Sequence, residues 1–505
     1  MEIRNNSDQA IRIQALDSTC SFIVQAPAGS GKTELLTDRI LSLLTKVDHP
    51  EEIVAITFTK KAASEMRDRV LEKLKLGLKE CLSSSIHEKN SWKLAKTVLT
   101  IDKNKNWKLL QNPTRLNICT IDSFCVSLLR NMPFSSELGS MPNIIENAKA
   151  HYFSAATATL NLANKNNDVK EFLTYMDVNL SLAKETIANM LSIRDQWLNF
   201  LRYDLKKNFL ENAIKEAIQE DLTNLANLMP TNLFNFICPI ARSAAKNLEN
   251  LTDLNDNKLS SLLYWNSPLS TNEDSLEKWK ALACLLLTSK NKIRTANSVN
   301  KNIGFPINCS DKKIFLSWLE KIDPKADWIV HLGRVRDIPN SKITDSQWKI
   351  LSTQLKILNL AVHQLQSIFS ASKEIDFIEI IERALIGLGT LDKPSKFSKK
   401  IDISISHLLI DEFQDTSQSQ KNLIERLISR WVKNDQKTIF LVGDPMQSIY
   451  RFRRAEVGLF LQILEQGIGN IRPIFLQLTN NFRSQSGIVS WINKIFINIF
   501  PDKMI

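Results

Sequence analysis

The chain has 505 residues, of which 43% are hydrophobic, 13 are glycine and 15 are proline. At roughly one domain per 150 residues, this length predicts two to four folded units. The composition is typical of a globular, helix-rich protein and excludes a disordered or collagen-like one. The formal net charge is +11, which fits an anionic partner such as nucleic acid but fits a general lysine bias equally well.

Seven cysteines occur without a C-x-x-C pair, so neither a zinc knuckle nor a disulfide framework is predicted. A reducing, cytoplasmic location is the simpler interpretation. The N-terminal stretch lacks the apolar core of a signal peptide, and no run of about 18 apolar residues occurs. The sequence therefore predicts a soluble protein with no membrane partner.

Short apolar runs rich in β-branched and aromatic residues lie near both ends of the chain. Such runs are typical of strands that are buried on both faces of a parallel sheet. They occur at residues 21–25, 53–58, 117–121, 407–411, 438–443 and 474–478. Between the first two runs, residues 33–44 place four leucines and an isoleucine on one helical face, which completes a βαβ unit.

The middle of the chain, from about 134 to 375, has helical patterning separated by polar loops. The basic stretch 289–313 has no periodicity and is the clearest predicted break in this region. We therefore predict one α/β domain that is interrupted by a large helical insertion.

The stretch "QAPAGSGKTELL" places a loop of small residues between a strand and a helix, which is the arrangement of a phosphate-binding loop. In such a loop, backbone N–H groups at a helix N-terminus face the phosphates. Lys32 is expected to reach the β- and γ-phosphates of ATP, and the Thr33 hydroxyl is expected to hold Mg²⁺. The predicted nucleotide-binding residues of the loop are Ala26, Pro27, Ala28, Gly29, Ser30, Gly31, Lys32 and Thr33. Ala26 departs from the usual pattern, which has glycine at that position.

Two adjacent acids follow the predicted strand in "HLLIDEFQDT". The carboxyl ends of parallel strands are where ligands bind in open sheets. Asp411 is expected to hold Mg²⁺, and Glu412 is expected to orient and deprotonate an attacking water. Acid pairs on loops are usually only solvated, but a pair that ends a buried strand in a chain with a phosphate loop favours a nucleotide hydrolase.

Six blocks of the sequence together resemble a known family. They are "APAGSGKT", "AITFTKKAASEMRDRV", "CTIDSF", "LLIDEFQDT", "FLVGDPMQSIYRFRRAE" and "LTNNFRS". In this order they resemble superfamily 1 DNA helicases of the UvrD/Rep type, with the helicase part of AddA/RecB-like exonucleases the nearest in style. The resemblance implies an α/β fold: a P-loop NTPase (RecA-like) parallel sheet core with a large α-helical insertion and the start of a second RecA-like core. The implied domains are a first core at 1–133 and 376–473, the insertion at 134–375, and the beginning of a second core at 474–505.

The resemblance also implies roles at the ATP site. Gln9 would read the adenine edge, although a surface glutamine without a role is the alternative. Gln447 would sense the γ-phosphate, Phe482 would stack on adenine, and Arg483 would contact the γ-phosphate. A fixed guanidinium suits this position because it stabilises charge that develops on the transferred phosphoryl group.

Contacts with DNA are implied in the same way. The implied DNA-binding residues are Thr57, Phe58, Thr59, Thr120, Ser123, Phe124, Tyr450, Phe452 and Arg453. Tyr450 and Phe452 would stack on bases, which is a sequence-tolerant interaction. The family often has tryptophan where Phe452 stands and histidine where Asp122 stands, so Asp122 is not included. Core packing is the alternative for each aromatic residue.

The implied activity is that of an ATP-dependent 3′–5′ DNA helicase or translocase of DNA repair or recombination. Its partners would be single-stranded DNA or DNA with a 3′ single-stranded tail. Two later blocks of the family are not found after Arg483, so we expect a truncated gene product, one piece of a split gene, or a fragment. A separately encoded remainder or a nuclease subunit would then be a partner. The alternative is an ATP-gated DNA-binding module without motor activity, while the acids and aromatics disfavour a small-molecule kinase.

Overall fold

The structure is a computed structural model that describes residues 2–80, 86–202, 206–230, 232–249, 257–307, 309–432, 435–449, 455–496 and 499. Within these residues, six parallel strands form one sheet in the order β3-β2-β6-β7-β1-β8, and two short strands form a separate parallel pair, β4-β5. The strands are β1 (Phe22–Gln25), β2 (Ile53–Thr57), β3 (Asn117–Thr120), β4 (Asn143–Ile144), β5 (Glu374–Ile375), β6 (His407–Ile410), β7 (Thr438–Gly443) and β8 (Ile474–Gln477).

Helices make up most of the remaining described chain. They are α1 (Glu2–Ala15), α2 (Lys32–Leu44), α3 (Lys60–Gly77), α4 (Ile86–Lys105), α5 (Ile121–Asn131), α6 (Lys149–Leu160), α7 (Asn167–Tyr175), α8 (Leu180–Ser192), α9 (Arg194–Arg202), α10 (Lys207–Leu228), α11 (Leu233–Glu249), α12 (Leu276–Leu286), α13 (Ser310–Leu319), α14 (Asp327–Arg334), α15 (Asp345–Ser372), α16 (Phe377–Leu388), α17 (Lys396–Ser404), α18 (Gln418–Leu427), α19 (Gly458–Gln466) and α20 (Ser486–Phe496). Among the described residues, no helix combines the length and the apolar character needed to cross a membrane.

The six apolar runs are all strands, as the sequence predicted. The side chains of β2, β6 and β7 are buried along their whole length, because helices cover both faces of the sheet and leave no polar side. The predicted helix after the phosphate loop is α2, whose leucines and isoleucine are buried against the sheet. The α/β class with a parallel sheet is therefore confirmed.

The strand at the end of the described chain has a different partner from the one that we expected. β8 pairs in parallel with β1, with Phe22 opposite Ile474 and Gln25 opposite Gln477. The sequence assigned this strand to the beginning of a second core, but it is the edge strand of the first sheet. Its position at the edge also explains why Ile474 and Phe475 are 43% and 45% exposed. For the residues after β8, a second core stays a prediction.

The chain divides into two compact units. The first contains the six-stranded sheet and comprises Met1–Asn166, Val178–Asn199 and Leu358–Ile505, and the second comprises Asn167–Asp177 and Phe200–Ile357. The region 134–375, predicted to be a helical insertion, is therefore shared between the two units. Buried apolar side chains of α11, α12, α13 and α14 form the core of the second unit.

The basic stretch 289–313 lies mainly between α12 and α13 and contains no α-helix before Ser310 in the part that the structure describes, so the predicted break in the helical pattern is confirmed. Val299 and Phe305 are each 1% exposed and lie in the core of the second unit. The ring of Phe305 stacks on Phe315 with 4.9 Å between centroids, and Arg294 donates hydrogen bonds to the carbonyls of Cys284 and Ser298. The packing of this loop into the core could not be predicted, because a few buried apolar residues in an aperiodic, lysine-rich stretch leave no pattern in the sequence.

A buried ion pair ties together the starts of α9 and α16 within the first unit. The side chain of Arg194 is fully buried and donates to the two carboxylate oxygens of Asp376 at 2.7 and 2.6 Å, and to Glu379 at 3.2 Å. Asp376 also caps α16 by accepting the backbone N–H of Glu379 at 2.8 Å. Tyr152 donates its hydroxyl to the same carboxylate. The pair is bidentate, which is the geometry that favours arginine over lysine at a buried site.

Candidate nucleotide and DNA site

The loop between β1 and α2 has the backbone of a phosphate-binding loop. Gly29 and Gly31 have φ angles of 78° and 77°, in the left-handed region that glycine adopts without strain. Gly31 forms the N-cap of α2 without any side-chain hydrogen bond, so the first N–H groups of the helix have no side-chain cap there. The hydroxyl of Ser30 is buried and has no partner among the described residues. Unsatisfied buried groups of this kind are typical of a site that takes a ligand.

The two acids follow β6 at the same edge of the sheet. The backbone N–H of Asp411 donates to the Ile56 carbonyl at 2.9 Å, which continues the ladder toward β2. Glu412 has a φ angle of 51°, a conformation that is uncommon for a residue with a side chain. Its N–H donates to the carboxylate of Asp411 at 3.0 Å. Strained conformations of this kind persist where surrounding structure enforces them, often at active sites.

Lys32 and Glu412 meet across the edge of the sheet. Their Nζ and Oε2 atoms are 3.0 Å apart, and both side chains are partly buried. Lys32 begins α2 after the loop that follows β1, and Glu412 lies two residues after β6. The strands β1 and β6 are separated by β7, which puts them about 10 Å apart. Only two long side chains can bridge this gap over the end of the intervening strand. The structure therefore brings the predicted phosphate-binding lysine and the predicted base together.

The carboxylate of Asp411 lies in a poorly solvated position. Burial and, secondarily, the charge of Glu412 raise the pKa of Asp411 to about 7, although the Lys32 cation opposes this shift. A divalent cation would relieve both causes. Mg²⁺ is bound in nucleotide sites by one or two carboxylates together with phosphates and waters, so the hydroxyl of Thr33 and the carboxylate of Asp411 are a suitable donor set for it.

A chain of hydrogen bonds links Glu412 to the loop after β7. Gln414 donates to Glu412 at 2.8 Å, and its carbonyl oxygen accepts the backbone N–H of Asp444 at 2.9 Å. Asp444 in turn accepts a hydrogen bond from the amide of Gln447. Gln447, the predicted γ-phosphate sensor, is thus connected to the predicted base through two side chains.

The segment of Phe482 and Arg483 lies against the phosphate loop. The N–H of Phe482 donates to the Gly29 carbonyl at 2.8 Å. An added Cβ at Gly29 would lie 2.8 Å from the Cβ of Arg483, so the two backbones are in close contact. The Phe482 side chain is 69% exposed and is available to stack on a base. The structure thus brings both residues to the predicted nucleotide site.

Helix α1 supplies two residues that the sequence analysis missed, Asp8 and Arg12. Arg12 donates to the Ser30 carbonyl, and its guanidinium lies over the Phe482 ring, 5.5 Å from the centroid. Gln9 lies one turn before Arg12, is half-buried, and lines with it a cavity of 40 Å³, which has room for a few waters but not for a purine. Arg12 lies four residues after Asp8 and three after Gln9, so it is a neighbour of both on the helix surface, and this spacing is the signal that could have found Asp8 and Arg12.

Arg39 fixes the turn that joins α1 to β1. It is fully buried and donates to the carbonyls of Ala15, Asp17 and Cys20. Its guanidinium also lies over the ring of Phe440, 5.2 Å from the centroid. Burial lowers the pKa of Arg39 to about 10, against the nearby Asp17, so the side chain remains charged at neutral pH. The orientation of α1 over the phosphate loop is thus held from the core.

A Gly29→Ala substitution tests the contact between the phosphate loop and the following segment. The added Cβ would meet Asn481 Oδ1 at 2.4 Å in addition to its strained φ angle. We expect ATP affinity to fall by about tenfold or more. The loop or the segment must move to relieve the collision, and a free-energy cost of over about 1.4 kcal/mol corresponds to this loss of affinity. Titration with a fluorescent ATP analogue measures this change.

Gly139→Ala is the matched control for that experiment. Gly139 also has a positive φ angle, 67°, but nothing lies within 4 Å of an added Cβ. It therefore has the conformational cost of about 1–2 kcal/mol without the collision. Equal loss of ATP affinity in the two variants would show that the close contact at Gly29 is unimportant.

A cleft of 770 Å³ lies within the first unit beside the ATP site. Predicted DNA-binding residues Phe58, Thr59 and Thr120 line it at the carboxyl ends of β2 and β3, together with Lys60. Asp415 and Ser417, which follow the acid pair, line its other side. One short segment, 411–417, therefore contributes to both the nucleotide site and the cleft.

The predicted DNA-binding residues are not equally accessible. Thr57 is 1% exposed, and its hydroxyl donates to the Thr59 carbonyl at 3.1 Å. Phe124 is 4% exposed and packs in the interior, so its ring offers no face to a base, and the structure speaks against this contact. The burial of Phe124 favours core packing, which was the alternative given for each aromatic residue.

Two threonines of the DNA group act as helix caps. Thr59 accepts the N–H of Ala62 at the start of α3, and Thr120 accepts the N–H of Ser123 at the start of α5. Thr120 also shares a hydrogen bond with the Ser123 hydroxyl at 2.8 Å. Contacts of Phe58, Thr59, Thr120 and Ser123 with DNA stay predictions. Tyr450, Phe452 and Arg453 lie outside the described residues.

A phosphate loop, a lysine paired with a glutamate and a buried aspartate meet at the carboxyl edge of a parallel sheet. These features define the class as a P-loop NTPase. Residues 5–466 match the family described as UvrD/REP helicase N-terminal domain. The chain belongs to this family, which confirms the resemblance seen in its sequence.

Curated relatives that match the chain are each named as one subunit of an ATP-dependent helicase/nuclease. The protein of Lachnoclostridium phytofermentans is 26% identical over 522 residues, covering 96% of this chain and 35% of the relative. That of Clostridium acetobutylicum is 25% identical over 525 residues, covering 96% and 39%. That of Listeria monocytogenes serotype 4b is 25% identical over 518 residues, covering 97% and 39%. The chain thus spans little more than a third of the length of these relatives.

Proposed function

We propose that the chain is the ATP-hydrolysing part of an ATP-dependent DNA helicase of repair or recombination that moves 3′ to 5′ on single-stranded DNA. The observation that carries the proposal is the 3.0 Å pairing of Lys32 with Glu412 beside the buried Asp411. A phosphate-binding lysine, a base and a metal-binding acid converge there, as nucleotide hydrolysis requires. The family match supports the helicase class.

The residues divide the chemistry among themselves. The loop N–H groups and Lys32 would bind the phosphates, while Thr33 and Asp411 would hold Mg²⁺. When bound, Mg²⁺ neutralises charge on the β- and γ-phosphate oxygens. Glu412 would orient the attacking water and take its proton.

The pairing of Lys32 with Glu412 supports a way in which the base would be held inactive. Lys32 pairs with Glu412 at 3.0 Å and neutralises the carboxylate that would act as the base. An incoming triphosphate competes for the Lys32 ammonium because it carries more negative charge than one carboxylate. ATP binding would therefore release Glu412 to accept a proton.

The cleft supports a DNA-binding role coupled to that chemistry. Glu412 and Gln414 face the nucleotide site, whereas Asp415, three residues after Glu412, lines the cleft and accepts a hydrogen bond from Ser448 at 3.1 Å. A movement of Glu412 on ATP binding would reach the cleft through this short segment. Segments with two arrangements are the physical basis of coupling between sites.

The charge of the cleft constrains how DNA would lie. Its described lining includes one lysine, Lys60, and five carboxylates, those of Asp122, Glu146, Asp195, Asp376 and Asp415. Arg194 offsets the charge of Asp376, but the other four carboxylates outnumber the lysine and would repel phosphates. We therefore propose that bases, and not the phosphate backbone, enter the cleft, with the Phe58 ring as the stacking surface.

An ATPase assay with and without single-stranded DNA tests the proposed function. Lys32→Ala should abolish DNA-stimulated turnover. Lys421→Ala, which removes a lysine paired with Glu425 at 2.9 Å away from the site, is the matched control and should retain it. Displacement of streptavidin from either end of a single strand then gives the polarity, and displacement from the 5′ end alone supports 3′ to 5′ movement.

The second candidate function is an ATP-gated DNA-binding module without motor activity. It is supported by the cleft beside the ATP site, because a movement of the segment 411–417 on ATP binding would reach this cleft whether or not the protein moves along DNA. ATP binding without hydrolysis, with any DNA added, would support the module and contradict the motor. A nuclease subunit is the proposed protein partner, and a cytoplasmic location is part of the same proposal.

A further inference from the structure

Asp8 receives an unusual set of hydrogen bonds from a segment 471 residues away. The hydroxyl of Thr479 donates to Asp8 Oδ1 at 2.8 Å, the N–H of Asn480 donates to Oδ2 at 3.0 Å, and the N–H of Thr479 is 3.2 Å from both oxygens. The Asp8 side chain is buried, with 2% exposure. A buried carboxylate with three donors is a strong anchor, because each hydrogen bond is charge-assisted.

The anchored residues lead directly to the groups predicted to contact ATP. Two residues further on, the N–H of Phe482 donates to the Gly29 carbonyl of the phosphate loop at 2.8 Å. Between these points, Asn481 Oδ1 accepts the N–H groups of Arg483 and Ser484 at 2.9 and 3.1 Å. The backbone from 479 to 484 is therefore held at one end by α1 and at the other by the loop.

We propose that Asp8 is a positioning residue that holds Arg483 at the phosphate loop before ATP binds. In this arrangement the backbone of Arg483 lies beside the phosphate loop without the closure of another domain, because α1 anchors the segment that carries it. The inference rests on the proposed function, since it assigns Asp8 to the same nucleotide site. It adds a residue and a mechanism that the sequence motifs did not indicate.

The chemistry of the anchor requires a carboxylate. All three groups that meet Asp8 are donors, and a carboxylate presents two acceptor oxygens and no hydrogen. An asparagine has the same shape but places its NH₂ group against a donor. One oxygen then loses its partners, and the buried N–H that faced it is left unsatisfied.

The relative affinity for ATP over ADP tests the inference in the full chain. Titrations with fluorescent ATP and ADP analogues report it directly, and the γ-phosphate contact of Arg483 sets it. Arg483→Ala should lower the ATP-to-ADP affinity ratio, and Asp8→Asn should lower it by about tenfold or more, the equivalent of one buried charge-assisted hydrogen bond. The double variant should lose no more than Arg483→Ala alone, because Asp8 would act only through the arginine. Thr479→Val, which removes one of the three donors, should give a smaller loss.

Asp102→Asn is the matched control. Asp102 lies in α4 and accepts the backbone N–H of Leu109 at 3.1 Å. It has no described contact with the phosphate loop, so the ATP-to-ADP affinity ratio should stay at the wild-type value. A purely structural role of Asp8 would lower the urea midpoint but not the ratio. An unchanged ratio in Asp8→Asn, or additive losses in the double variant, would overturn the inference.

The other outcomes are equally decisive. If Asp8→Asn does not fold, an unchanged ratio in Thr479→Val overturns the inference and a lowered ratio supports it. If Arg483→Ala keeps the wild-type ratio, the arginine is not a γ-phosphate contact and the inference fails with it. Absence of ATP binding in the wild-type chain would instead contradict the proposed function itself.

Discussion

Glu412→Gln should leave ATP binding intact and slow ATP hydrolysis by about two to four orders of magnitude, the usual contribution of a general base. Glutamine has the same shape and retains an oxygen that can accept from Lys32 and Gln414, which lie 3.0 and 2.8 Å from Glu412 Oε2. It cannot take a proton from water. Single-turnover hydrolysis measures the chemical step, and titration with a fluorescent ATP analogue measures binding.

Glu425→Gln provides the comparison for this experiment. Glu425 pairs with Lys421 at 2.9 Å in α18 and is also partly buried, so it matches Glu412 in residue type and partner but lies outside the nucleotide site. We expect normal hydrolysis in this variant. Hydrolysis at the wild-type rate in Glu412→Gln would show that another group is the base.

Asp411→Asn should stabilise the nucleotide-free and Mg²⁺-free protein at alkaline pH while abolishing hydrolysis. The pKa of Asp411 is raised from 3.8 to about 7, chiefly by burial and next by the charge of Glu412. The native state therefore holds a proton that the unfolded state releases above pH 4. Stability from this group is present below pH 4, declines as the pH rises, and is lost above pH 7.

The size of this effect follows from the same values. The pKa values of Asp411 in the unfolded and native states differ by about three, which corresponds to up to about 4 kcal/mol in the free energy of unfolding. Asparagine retains an oxygen for the N–H of Glu412, which donates at 3.0 Å in the wild type, and carries no charge. Urea unfolding in EDTA should therefore show the variant more stable than the wild type at pH 8, with the difference vanishing toward pH 4.

Asp17→Asn should change the stability at alkaline pH in the opposite direction. Hydrogen bonds from the side chain and the backbone of Thr19 lower the pKa of Asp17, so its ionised form stabilises the native state above the unfolded pKa. The substitution should therefore cost stability at pH 8 and little at low pH. A variant of Asp411 that is no more stable than the wild type at pH 8 would mean that the carboxylate is well solvated or paired.

A buried aspartate at the proposed Mg²⁺ site has a functional consequence. A buried carboxylate kept partly protonated near neutral pH favours any ligand that restores its charge. Binding of Mg²⁺ with ATP would then offset the unfavourable free energy of the buried Asp411 charge, which the folded protein alone does not offset. Such sites exchange stability for function, which is why removal of the charge is expected to stabilise the chain.

Local sequence patterns were sufficient for the elements of the first sheet and for the expectation that Lys32, Asp411 and Glu412 lie at one edge of it. Each strand is a short apolar run with a clear end, and a loop or acid pair that follows such a run lies at the carboxyl edge of a parallel sheet. Lys32, Asp411 and Glu412 could be placed for this reason. Their chemistry depends on residues adjacent in the chain to a buried strand, and that information is local.

Tertiary structure alone decided which distant segments meet. The pairing of β8 with β1 could not be predicted, because an apolar strand carries no mark of the strand that it will pair with. The hydrogen bonds from Thr479 to Asp8 join residues near opposite ends of the chain, and the burial of Phe124 depends on what packs over α5. Hydrogen bonds and packing act over a few ångströms in space and are independent of separation along the chain. The sequence therefore predicted the chemical groups of the site, whereas the tertiary structure decided which residues position them.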